Sequence, residues 1–156
     1  MLSFPYPDEP LASPPPPSLP AGATVRWRPL VPVRVLGPGG QSRSFARAVF
    51  DPCADDTVLP MGLATVLGIP LRSASGHVVR WRGQAFPLRF GRVELELSED
   101  QGAFWRWPAV VSFSPAPILY PILGTCGCLQ FSAPRFRGED RVMEIDTNRS
   151  YPGTKV

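Results

Sequence analysis

Apolar and polar positions alternate in short runs along most of the chain. "TVRWRPLVPVRVLG" (24–37) alternates apolar and basic residues and predicts an edge strand, on which Pro29 and Pro32 are tolerable. "GPGG" (37–40) predicts a turn, and "SFARAVFD" (44–51) a returning strand, so the two runs form a hairpin. "TVLP" (57–60) reads as a short buried strand. "MGLATVLG" (61–68) reads as a short helix closed by Gly68. "HVVRWRGQAFPLRF" (77–90) predicts a hairpin with its tip near Arg82-Gly83. "RVELEL" (92–97) predicts a half-exposed strand, with Val93, Leu95 and Leu97 inward and Glu94 and Glu96 outward. "FWRWPAVVSF" (104–113), "YPILG" (120–124) and "RVMEID" (141–146) complete the strands, the last being the final one expected. A short turn of helix is expected after Gly124. The fold class that follows is all-β: a small, partly closed β-barrel with one or two short helices.

Composition changes this picture mainly at the ends. A chain of 156 residues suits one domain. Its 21 Pro and 14 Gly favour short strands and turns over long helices. "SPPPPSLP" (13–20) predicts extended polyproline II. Residues 1–22 are therefore expected to be a disordered Pro-rich leader, or else a ligand for a proline-binding module. The domain is expected over 23–147, with 148–156 a flexible tail.

The basic residues are fifteen Arg and Lys155, scattered along the chain, with a net charge of +3. Scattered charge does not mark a nucleic-acid partner. Arg and aromatic residues interleave at 26–28, 80–82 and 105–107, which strand alternation explains. Residues 108–134 carry no charge, but Pro108, Pro115, Pro117, Pro121 and Pro134 break any helix there, so no membrane span is expected. With no secretory signal pattern, a cytoplasmic location is expected. Three cysteines, Cys53, Cys126 and Cys128, do not make a disulfide framework, and Cys126-Gly127-Cys128 is too close for a zinc knuckle. No metal or cofactor is expected.

The candidate chemistry lies in "FDPCADDTVLP" (50–60), where a strand delivers Asp51 into a turn followed by Asp55 and Asp56. On its own, an Asp-Asp pair reads as a turn capping its own backbone. A hairpin, this Asp loop, a second hairpin and the apolar-apolar-Gly step Ile122-Leu123-Gly124 follow one another in that order. The order, with "ADDTVLP" and "PILG…GCLQFSAPRF", resembles the retropepsin-like aspartic proteases over roughly residues 31–146.

The resemblance implies a homodimeric endopeptidase. Asp51 would meet its symmetry mate to form the catalytic dyad. Ala54, Asp55 and Asp56 would hold a peptide or protein substrate. The hairpin tip, with Trp81, Arg82 and Gly83, would close over it as a flap. Three positions depart from the family pattern: Pro52 and Cys53 stand where Thr or Ser and then Gly follow the Asp, and Thr125 stands where Arg often pairs with the acid matched by Asp55. Pro52 has neither hydroxyl nor N–H, so partners across the dimer would go unsatisfied, at about 1–3 kcal/mol each. Two other functions stay open on the residues. One is an inactive pseudo-protease that binds peptide; the other is a thiol hydrolase using Cys53 and His77.

Overall fold

The computed structural model describes residues 1–11, 14–100 and 102–156. In chain order its strands begin with β1 (Leu2–Pro5), β2 (Asp8–Pro10), β3 (Val25–Trp27), β4 (Leu30–Leu36), β5 (Ser42–Phe50) and β6 (Val58–Pro60). Helix α1 (Met61–Val66) precedes β7 (Arg72–Trp81), β8 (Gln84–Ser98), β9 (Phe104–Ser114) and β10 (Ile122–Leu123). A 3-10 turn at Leu129–Phe131 leads to β11 (Ser132–Arg137), β12 (Val142–Thr147) and β13 (Thr154–Lys155).

The chain is mostly β, and its main sheet curls into a ring. Pairing runs β9–β6–β10–β5–β4–β8, and β8 pairs again with β9. Closure fills the interior with alternate side chains. Val33 and Val35 of β4, Val93, Leu95 and Leu97 of β8, and Trp105, Trp107, Val111 and Phe113 of β9 are all buried there. Strand β4 is not the expected edge: it lies between β5 and β8. Pro32 is accommodated because the register with β5 shifts between Val31 and Val33, a bulge where a missing N–H costs no ladder bond.

Both chain ends correct the expectation of a loose leader and tail. Strand β1 pairs antiparallel with β12, Leu2 opposite Ile145, and buries Leu2 and Phe4 in the core. With β11 these make a separate three-stranded sheet. Strand β2 pairs with β3. The prolines beyond Ser13 form turns rather than one extended segment: Leu19 N–H bonds Pro16 O and Ala23 N–H bonds Pro20 O. At the other end, β13 pairs with β9, so 142–147 is not the last strand. The Tyr151 ring lies 6.1 Å from Trp105 and 6.0 Å from Trp107, and burial pushes its pKa up to about 12, against a smaller lowering by its bond to Arg106 O. Packing on the two tryptophans thus adds to the β13–β9 pairing in holding the tail down.

Two carboxylates that alternation would leave in water are covered instead. Glu96 points outward but is only 7% exposed, because Arg34 and Arg106 close over it. Glu9 of β2 is held by Arg26 at 2.5 Å and Arg28 at 2.6 Å, with the Tyr120 hydroxyl at 3.3 Å, which ties the β2–β3 ribbon to the loop before β10.

Burial raises the Glu9 pKa, but the hydrogen bonds and charges of Arg26 and Arg28 outweigh it and hold the carboxyl below its ordinary 4.5. A lowered folded pKa stabilises above the unfolded value and is lost as pH falls through the folded one. Thermal melts should therefore show Glu9→Gln less stable than wild type at pH 7, with the gap closing below about pH 4.5. An unchanged gap down to pH 3 would show that the carboxylate charge contributes nothing.

Candidate active site

Asp51 follows the last residue of β5, where its N–H donates to Leu123 O at 3.0 Å. Its backbone carbonyl accepts the Ala54 N–H at 3.2 Å, and its carboxylate Oδ1 accepts the Cys53 N–H at 2.9 Å. The turn thus aims the Asp51 side chain using its own loop, as short Asp-led turns do. Asp51 is half-buried, while Pro52 and Cys53 are exposed.

Strand β10 holds this loop in place. It is inserted between the two strands that flank the loop, parallel to β5 and antiparallel to β6. Past Gly124 the contact continues as a set of rungs. Thr125 N–H donates to Ala54 O and Cys126 N–H to Asp55 O, both at 2.8 Å, and Thr57 N–H donates to Cys126 O at 3.0 Å. Thr57 is fully buried, and its Oγ1 accepts the Gly124 N–H at 3.2 Å. Gly124 has to be glycine: a Cβ there would lie 2.2 Å from Asp56 O and 2.9 Å from Ala54 O. Thr57, which receives Gly124, and the backbone rungs from Thr125 and Cys126 are what sequence reasoning gave no role in holding the loop. The signals were the hydroxyl following the Asp-Asp pair and the glycine of the Ile122-Leu123-Gly124 step.

Asp51, Ala54, Asp55 and Asp56 are therefore gathered in one loop against Gly124. Asp55 is exposed, and among the described residues its carboxylate has no hydrogen-bond or ion-pair partner; Thr125 meets this loop through its backbone alone.

Trp81, Arg82 and Gly83 lie elsewhere, at the tip of the β7–β8 hairpin. Trp81 pairs with Gln84, and Arg82 and Gly83 turn the chain with φ of 48° and 81°. Positive φ at both central residues is the two-residue hairpin turn that matches strand twist. Trp81, Arg82, Gln84 and Phe86 face Pro117 across a cleft of about 370 Å³. Asp51 is not among its walls, although Pro117 belongs to the loop that leads into β10. A hollow of about 420 Å³ lies at the base of the same hairpin, between Pro38, Pro70, Arg72, Phe90, Arg92 and Val110.

The thiols are unevenly placed. Cys53 and Cys126 are exposed, whereas Cys128 is buried and burial pushes its pKa far up. His77 sits on β7, its ring edge-on to Phe90 at 5.5 Å, and no hydrogen bond joins it to Cys53. The two do not form a nucleophile–base pair. Among the described residues no group of three or more His, Cys, Asp or Glu could hold a metal ion, and no helix is long and apolar enough to cross a membrane. No family model matches the chain, and no curated protein matches it either.

Proposed function

We propose that the protein is a retropepsin-like aspartic endopeptidase that works as a homodimer. The observation that carries this reading is the insertion of Ile122–Leu123 between β5 and β6, with Gly124 packed against the Asp51 loop. A single carboxylate is thereby presented on a rigidly backed turn.

Such a turn supplies half of a dyad, and a second copy supplies the other half. Two carboxylates in contact cannot both ionise, so they share a proton. One Asp51 then takes a proton from water while the other gives one to the scissile carbonyl. The exposed edge of the Asp55–Asp56 loop would hold the substrate backbone, and the hairpin tip would close over it and exclude water.

A second reading is a binding module on the same frame, which grips peptide without cutting it. It is favoured by Pro52, which is exposed next to Asp51 and offers no donor to a partner loop.

Cleavage of a diverse peptide library at mildly acid pH, over a wide range of protein concentration, separates the two. A homodimeric peptidase gives products at a rate per chain that rises with concentration and then levels off. Folded, dimeric protein that releases no product would sink the peptidase reading and leave the binding one.

A further inference from the structure

One hairpin leaves its charge unanswered. Between Asp56 and Glu94 the chain holds no acidic residue. The β7–β8 hairpin within that span carries Arg72, Arg80, Arg82, Arg89 and Arg92, all exposed. Among the described residues none of the five is in an ion pair, whereas Glu9, Glu96 and Glu144 each hold two arginines elsewhere. The excess is therefore local to residues 72–92: Glu94 borders it beyond Arg92, and Arg72 and Arg92 share the face of Phe90 while Arg80 and Arg89 lie on the other. Like charges on one ribbon repel, and a ligand of opposite charge relieves that repulsion.

The same hairpin offers apolar contact between those charges. Even-numbered side chains of β8 share a face: Gln84 and Phe86 near the tip, the buried Leu88 between, and Phe90 and Arg92 at the base. The two hollows open along this face, one beside Trp81 and Arg82 and the other beside Arg72 and Arg92. Gln84 to Arg92 spans roughly 26 Å of strand, the reach of a short extended peptide.

We propose that this face binds an extended peptide that carries both acidic (Asp or Glu) and apolar side chains. With the cleft read as a peptide site, as above, this makes acidic segments the substrate class. In an extended chain alternate side chains point the same way. The set that points at the face would meet Phe86 and Trp81 with its apolar members and Arg72, Arg82 and Arg92, whose forked donors suit carboxylates, with its acidic ones. A single nucleic-acid strand is the competing polyanion. It fits less well because Trp81 and Phe86 are half-buried in a cleft walled by Pro117, not laid open as a stacking platform.

The test is fluorescence anisotropy on the full chain with three labelled probes: a Leu-Leu-Glu-Glu repeat of ten residues, its Leu-Leu-Gln-Gln counterpart, and a ten-nucleotide single-stranded RNA. The Glu peptide is expected to bind at least about tenfold tighter than the Gln peptide at low salt. The advantage should shrink as salt rises, and should vanish in the triple variant Arg72→Gln, Arg82→Gln, Arg92→Gln, with folding checked by its melt. Equal behaviour of the two peptides, or tighter binding of the RNA, overturns the proposal. The readout is independent of cleavage. Selective acidic binding with no cleavage keeps this proposal and sinks the peptidase reading; Asp51-dependent cleavage with no acidic preference does the reverse.

Discussion

Asp51→Asn is expected to abolish peptide cleavage while leaving the fold in place. Among the described residues the carboxylate accepts one hydrogen bond, from the Cys53 N–H, and an Asn oxygen can accept the same bond. The side chain is half-buried at a turn and outside the core, so stability should change by no more than about 0.5 kcal/mol. The chemistry has no such substitute. An amide can neither take the proton from water nor share one with its mate, and two-fold symmetry removes both carboxylates together. Proton transfer by a positioned side chain contributes about 10²–10⁴-fold, so turnover should fall by at least about a thousandfold. The measurement is steady-state cleavage of the best library peptide, with a thermal melt alongside. Cleavage surviving in a folded variant would locate the chemistry away from Asp51.

The second large effect is on the fold. Gly124→Ala places a methyl 2.2 Å from Asp56 O and 2.5 Å from Asp56 C, both backbone atoms that cannot rotate aside. The Asp51 loop has to move, which breaks or stretches the rungs from Thr125 to Ala54 and from Cys126 to Asp55. Overpacking of this kind costs about 3 kcal/mol or more. For a chain of this length that is roughly a 10 °C fall in melting temperature. Gly62→Ala is the control: it lies in helix α1, and its added methyl meets nothing within 4 Å. That change should be neutral or slightly stabilising, since Ala is the better helix former. If the Gly124 variant melted with the control, the loop would have room that the packing denies.

Much of the local structure was legible because it has a local cause. Arg82-Gly83 turns a hairpin, Gly68 (φ 61°) closes a helix, and the period-two alternation of Val93, Leu95 and Leu97 marks an inward face. The misses have partners far away. Leu2 and Phe4 alternate for only two positions before Pro5, too short a pattern to name a strand; what makes β1 is the waiting edge of β12. Glu96 reads as solvated from its neighbours in sequence, but Arg34 and Arg106 come from other strands. The site divides the same way. A strand delivering Asp51 into a turn can be read from 50–56 alone. That 122–124 passes between β5 and β6, and that Thr57 receives Gly124, depends on contacts across more than sixty residues.

The pairing of β1 with β12 also sets an order of events during folding. Leu2 meets Ile145, so nearly the whole described chain must be in hand before the first strand can dock. Pairings of such long separation are reached late, after the loop-closure entropy between them has been met, and they slow folding. On the ribosome, Leu2 and Phe4 would remain exposed until β12 emerged. Refolding should accordingly show a barrel that assembles first and a terminal sheet that closes last, with the intermediate exposing sticky apolar surface in between.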